Sequence, residues 1–194
     1  MKHSKVLCVS RIKEKPMKIN LFLIEKKPEI LKKWFDLILE TYPPETARFL
    51  QSQKNRFANP VGHTISEGIE SIFEEFLQGM NSDKISPFLD NIIRIRAIQN
   101  FPPSQALSFI FLLKKVIREE LADDIREHRM FEELLTLESR IDVLSGISFD
   151  IYMKCREKLY ELKANELKSL TYKILQRPNT ATEVNTDETK VAGL

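Results

Sequence analysis

The apolar residues of this chain recur at helical spacing from residue 19 to residue 174. Gaps of three and four residues separate them, whereas a half-buried strand alternates every two. Prolines and glycines divide this pattern into predicted helical segments, namely 19–25, 28–42, 45–53, 64–79, 86–98, 106–121 and 126–175. We therefore predict an all-α fold, either globin-like or an irregular helical bundle, with a long C-terminal helix or helical hairpin.

Local signals predict where several of these helices begin and end. Thr64 to Glu67 has the sequence of a capping box, which predicts a helix start at Thr64. Gly79 stands where a C-terminal cap belongs, and Ser86-Pro87 predicts the start of the next helix. The segment from Ala106 is apolar nearly all round at its start, so we expect it to be the central helix.

The segment 126–175 has no proline and carries a long apolar stripe whose spacings alternate between four and three. Such a repeat is typical of a coiled coil or a long helical hairpin. Gly146 is the candidate break, so one bent helix and two helices that turn at Ser145-Gly146 both fit. The stripe either packs within its own chain or, as we favour, forms a dimer interface. Its predicted members are Met130, Leu134, Leu137, Ile141, Leu144 and Ile151.

Composition and charge narrow the function classes. The 194 residues include 30 Lys and Arg against 28 Asp and Glu, a balance that argues against nucleic-acid binding. The densest apolar stretch, Ala106 to Leu113, is far shorter than the roughly 20 residues that span a bilayer. We therefore expect a cytoplasmic protein with reduced cysteines. We also expect a disordered leader (1–17), a single helical domain (18–176) and a disordered tail (177–194).

The sequence shows no motif for catalysis or metal binding. It has no glycine-rich phosphate loop, nucleophile elbow or paired-cysteine motif, and its adjacent carboxylates point in different directions on a helix. The three histidines lack partner ligands at metal-binding spacing. We therefore predict no enzymatic activity, no metal and no cofactor. The alternative is a small-ligand or haem sensor that uses His63 or His128.

Arg94 and Arg96 stand in an otherwise apolar helical segment. Two residues correspond to about 200° of helical rotation, so the two side chains cannot leave by one face. We expect at least one of them in the core, where a guanidinium needs a carboxylate or carbonyl partner. Asp90, four residues before Arg94, is a candidate partner. The pair is either a structural link between helices or an anion or partner-contact site.

Three separated patches of the chain resemble a known family. They are Phe57–Gly62, then Arg94–Phe101 continuing through Ser104-Gln105-Ala106 to Lys114, and lastly Phe149–Glu157. These patches, which occur in the same order along the chain, resemble the N-terminal domain of RsbRD-type co-antagonists, the RsbT-binding regulators of the bacterial stressosome. The resemblance covers roughly residues 21 to 170. It implies a non-enzymatic helical sensor module, commonly dimeric and similar to haem-free globin-like domains, that works through protein contacts.

The same resemblance implies an STAS output domain after the module, and a long helix that carries the signal to it. Only a short segment follows Leu175 here, so we expect a stand-alone module without an STAS domain. Its implied partner is a regulatory protein or a component of a membrane redox complex associated with sulfite reduction. The candidate partner- or ligand-binding residues are Phe57, Asn59, Pro60, Gly62, His63, Arg94, Arg96 and Gln105.

Overall fold

The structure, a computed structural model, describes residues 18–52 and 55–175. These residues form helices and no strand, which confirms the predicted all-α class. The helices are α1 (Lys18–Glu25), α2 (Lys27–Leu39), α3 (Pro44–Ser52), α4 (Pro60–Leu77), α5 (Ser82–Ile98), α6 (Pro103–Ala106), α7 (Ser108–Glu120), α8 (Ala122–His128) and α9 (Phe131–Leu175). The predicted leader and tail lie outside the described residues, so the domain boundaries stay a prediction.

The chain divides into two compact units, residues 1–156 and 157–194. In the first unit α2 packs against α7, and α4 packs against α5. The indole N–H of Trp34 donates a hydrogen bond of 2.6 Å to the Phe109 carbonyl, which joins α2 to α7 inside the core. Phe73, Phe76 and Phe109 are fully buried there, whereas Phe111 is half exposed. In the second unit the described residues are the end of α9, whose side chains are largely exposed.

Helix α4 begins at Pro60, four residues before the start that the capping box predicted. The Asn59 side chain caps it by accepting a hydrogen bond of 2.8 Å from the Gly62 amide. Thr64 lies inside the helix, where its hydroxyl donates to the Pro60 carbonyl. The capping-box prediction was wrong because an asparagine cap followed by a proline at the first helical position is a complete start signal of its own.

Helix α5 also begins earlier than predicted, at Ser82 rather than Ser86. Asn81 caps it by accepting a hydrogen bond of 2.9 Å from the Asp83 amide. Pro87 therefore lies inside the helix, where it removes one intrahelical hydrogen bond without ending the element. The end of α4 is as predicted, since Gly79 follows the cap with a left-handed φ of 98°.

Helix α9 runs without a break through Gly146, so the helical-hairpin alternative is wrong. The break lies earlier, at Arg129, whose φ of 54° separates α8 from α9. Four stripe residues are buried within the first unit, namely Met130, Leu137, Ile141 and Leu144, whereas Leu134 and Ile151 are partly buried. The chain's own helices thus cover this face of α9.

Candidate functional site

Arg96 is fully buried on the apolar face of α5. Arg94, two residues earlier, lies on the surface and pairs with Asp90 at 2.6 Å. This placement confirms the expectation that the two arginines leave the helix by different faces and that one enters the core.

The Arg96 guanidinium packs against two aromatic rings, which contact each other edge to face with centroids 5.1 Å apart. Its central carbon is 4.6 Å from the Phe101 ring centroid and 5.2 Å from that of Tyr42, which are distances for cation–π attraction. Its Nη2 donates hydrogen bonds to the Thr41 hydroxyl (2.8 Å) and to the Gln105 carbonyl (3.0 Å). Arg96 therefore connects α5 to the segment after α2 and to α6.

No carboxylate of the described residues forms an ion pair with Arg96. Its Nε and Nη1, like the hydroxyl of Tyr42, are buried without a hydrogen-bond partner in the part of the chain that the structure describes. Burial lowers the pKa of Arg96, and Tyr42 opposes that effect. A guanidinium nevertheless keeps its charge in proteins. An unneutralised cation in a core is costly to folding, and such groups concentrate at functional sites.

We call Arg96 and its four neighbours Thr41, Tyr42, Phe101 and Gln105 the Arg96 cage. A surface groove of about 550 Å³ lies against this cage. Thr41, Tyr42, Phe101 and Gln105, all in the surroundings of Arg96, also line the groove. No residue of its lining is charged. The other lining residues are Pro43, Thr46, Gln99, Asn100 and Pro102. The arrangement offers hydroxyl and amide groups above a buried positive charge, which suits an anion.

A second arginine stands next to the groove. The Arg156 Nη1 donates to the Asn100 side-chain oxygen at 3.3 Å and to the Ala97 carbonyl at 3.4 Å. The Tyr152 hydroxyl donates to the Phe101 carbonyl at 2.8 Å. The segment that carries Asn100 and Phe101 is therefore held by α9 from one side and by Arg96 from the other.

The patch Phe57–Gly62 forms the start of α4 rather than an open site. Asn59 is buried, and its side-chain amide donates to the Leu50 carbonyl at 2.7 Å while its oxygen caps α4. A Cβ on Gly62 would lie 2.8 Å from the Asn59 Cγ, so only glycine leaves room for this cap. Phe57, in contrast, is 94% exposed.

Neither histidine proposed for a sensor lies inside an apolar cavity. The His63 Nε2 lies 2.9 Å from the Glu67 carboxylate on the surface of α4. His128 is exposed, and its ring contacts that of Phe22 at a tilt of 32°, with centroids 5.1 Å apart. No group of His, Cys, Asp and Glu among residues 18–52 and 55–175 is arranged to hold a metal ion. The geometry gives the haem alternative no support, since an axial histidine needs an enclosed pocket.

A second groove, of about 900 Å³, follows the contact between α4 and α5. The two helices approach closely at Gly68, where a Cβ would lie 2.8 Å from the Ile92 Cδ1. The charged residues of this lining are four carboxylates and two arginines, Arg56 and Arg94. The acidic members are Glu67, Glu70, Glu74 and Asp90. The fold thus places the predicted Arg94 and Arg96 at different grooves, and it brings Gln105 together with Arg96 alone.

Thr41, Tyr42 and Phe101 were not predicted as site residues from the sequence. A weak signal was present, because Tyr42 and Phe101 each directly precede a proline, which favours an extended backbone at the end of a helix. Within the described residues, no helix is long and apolar enough to cross a membrane.

Comparison with known proteins gives a family and a relative. The family model described as the RsbT co-antagonist protein rsbRD N-terminal domain matches residues 28–167, a range that includes every residue of the Arg96 cage. An uncharacterized protein of Archaeoglobus fulgidus is 28% identical over 149 residues, which cover 72% of this chain and 83% of that protein. No solved structure matches the chain.

Proposed function

The chain belongs to the family of RsbT co-antagonist rsbRD N-terminal domains, and from this premise we propose that it is a non-enzymatic regulatory module that works by binding a protein partner. The regulatory class follows from the family. The observation that supports protein binding is an apolar stripe on the described part of the second unit.

This stripe, which we call the C-terminal stripe, comprises Tyr160, Leu167, Leu170 and Ile174. Each of these side chains is between 49% and 67% exposed. The residues follow one another at intervals of seven, three and four, which is the spacing of the contact positions of a coiled coil. A helix face of this kind is recognised by a second amphipathic helix that covers its apolar residues.

Lys163 indicates which helix the C-terminal stripe accepts. It occupies the contact position between Tyr160 and Leu167, in the same heptad pattern. In a parallel pair of identical helices two Lys163 side chains would face each other, which is unfavourable for like charges. We therefore infer that the partner is a helix of a different protein, with apolar contact residues and a carboxylate opposite Lys163. A homodimer through a surface other than the C-terminal stripe, and a cytoplasmic location, stay predictions.

To test this proposal, the full-length chain is used to capture partner proteins from a native extract, and cross-linking identifies the residues in contact. Leu167→Glu places a charge on the C-terminal stripe, and Asn165→Glu places the same charge on the opposite face of the helix as a matched control. We expect Leu167→Glu to lose the cross-linked partner and Asn165→Glu to keep it. Lys163→Glu should also lose it, because two carboxylates would then meet.

Two results would contradict the proposal. If both glutamate variants retained the partner equally, the C-terminal stripe would not be its binding surface. If the cross-links joined only two copies of this chain, and light scattering gave twice the monomer mass, the surface would serve homodimerisation. Since both substitutions are at exposed positions, equal far-UV circular dichroism of the two variants verifies that neither has unfolded.

A further inference from the structure

We propose that the groove against Arg96 is a binding site for a small organic carboxylate. This inference concerns a ligand of the first unit and does not depend on the partner proposed above. It rests on the charge beneath the groove, on the hydrogen-bonding groups of its lining and on its apolar rim.

The charge is the first argument. Arg96 lies one residue layer beneath the groove, because Thr41 and Gln105 accept its hydrogen bonds and also line the groove. No carboxylate of the described residues neutralises Arg96, and none lines the groove. A buried charge acts over a longer range than a solvated one, because the surrounding dielectric constant is low. The groove therefore favours a negatively charged occupant.

The lining supplies hydrogen-bond donors for such an occupant. Gln99 and Asn100 bring amide groups to one wall, and Thr46 brings a hydroxyl to the other. Thr46 is the third residue of α3, so the positive end of that helix also lies at this wall. Arg156, bonded to Asn100, adds a second cation behind this lining residue. The site thus has neutral donors in contact with the groove and two guanidinium groups behind them.

The rim indicates that the occupant also has a carbon skeleton. Tyr42 and Phe101 contribute rings, and Pro43 and Pro102 contribute apolar edges next to the donors. An inorganic oxyanion would leave these surfaces without contact, whereas an organic acid would cover them. The volume of about 550 Å³ is that of a small-molecule site and is too small for a folded partner.

Nuclear magnetic resonance of the full-length chain gives a direct test. The probes are sodium benzoate and sodium phosphate, titrated at constant ionic strength against sodium chloride. We expect benzoate to shift the Arg96 Nε–H signal and the backbone amides of Asn100 and Phe101 saturably. Phosphate should bind at least about tenfold more weakly, since it does not cover the apolar rim.

A matched pair of variants tests the charge argument without touching the core. Thr46→Glu adds a carboxylate to the groove wall, and Thr46→Gln adds a neutral side chain of the same size. Position 46 is exposed, and an acid in the first turn of α3 is compatible with the helix. We expect Thr46→Glu to weaken benzoate binding about tenfold or more, and Thr46→Gln to keep it within about twofold.

Three outcomes would overturn the inference. The first is the absence of any saturable shift with benzoate, and the second is a saturable shift that maps away from residues 41–46 and 96–105. The third is equal binding of benzoate by Thr46→Glu and Thr46→Gln. Binding of phosphate as tight as that of benzoate at the same signals would replace the organic carboxylate with an inorganic anion. None of these outcomes bears on the partner of the C-terminal stripe, which is measured separately.

Discussion

Replacing Arg96 with methionine would remove the buried charge while keeping most of the side-chain volume. The substitution abolishes two hydrogen bonds from a charged donor, each contributing about 1.5–3 kcal/mol. It also abolishes two cation–π contacts of about 1–2 kcal/mol each. The stabilisation lost is therefore about 5–10 kcal/mol before any compensation.

The compensation is of similar size. Methionine has no charge to desolvate, and an unneutralised buried cation costs several kcal/mol. It also removes two donors, Nε and Nη1, that lack partners among the described residues, each costing about 1–3 kcal/mol. We therefore expect the free energy of unfolding of Arg96→Met to lie within about 1–2 kcal/mol of the wild-type value. Arg96→Ala should lose about 3–5 kcal/mol, because it leaves a cavity as well.

Urea unfolding followed by tryptophan fluorescence measures this difference. Trp34 is the single tryptophan of the chain and is fully buried in the first unit, so its emission reports the unfolding of that unit. Arg94→Met is the matched control, since it removes an exposed ion pair and should cost less than about 1 kcal/mol. If Arg96→Met were as unstable as Arg96→Ala, the charge would stabilise the fold. Its burial would then be explained by stability and would no longer indicate a functional site.

Other positions give further tests with the same unfolding assay. Asn59→Ala should lower the free energy of unfolding by about 1–2 kcal/mol, because it removes the cap of α4. Gly146→Ala should raise it by about 0.5–1 kcal/mol, since a Cβ there meets nothing within 4 Å. Gly68→Ala should give no such gain, because its Cβ would meet a buried isoleucine of α5; equal gains at both glycines would contradict the close helix contact. Burial raises the pKa of the Cys155 thiol. Because the chain has two cysteines, a Cys8→Ser variant leaves Cys155 as the thiol that reacts. At pH 7.5 this variant should react with iodoacetamide several-fold more slowly than glutathione does, as measured by mass spectrometry.

The helices were predictable because their buried apolar residues recur every three or four positions along the chain. The residues at which the helices start were not predictable in the same way. Both Thr64 to Glu67 and Asn59-Pro60 satisfy the rules for a helix start, and only the packing of Asn59 against Leu50 decides between them. The break before α9 has no sequence signal, because Arg129 adopts a left-handed conformation that favours glycine or asparagine. Gly146, which does look like a break, is tolerated within a helix whose buried face is continuous on both sides of it.

Two residues of the candidate site were predicted, Arg96 from helix geometry and Gln105 from the family resemblance. The spacing of Arg94 and Arg96 on an apolar helix requires one of them to enter the core, and this follows from helix geometry alone. Phe101 and Gln105 follow Arg96 closely in the sequence, whereas Thr41 and Tyr42 come from a distant segment. Thr41 lies 55 residues before Arg96, and no local pattern relates such positions. The aromatic cage is therefore a property of the tertiary fold.

The same fold gives the proposed ligand a route to α9 within the first unit. Phe101 contributes its ring to the Arg96 cage and its carbonyl to a hydrogen bond with Tyr152 of α9. Asn100 lines the groove and is bonded to Arg156 of α9. A ligand that prefers one arrangement of residues 100–101 must also change the free energy of these two contacts, which is the condition for coupling between sites. In a regulatory module, the charge of Arg96 would therefore serve the coupling between the groove and α9. Its contribution to stability gives no such reason for burying a charge.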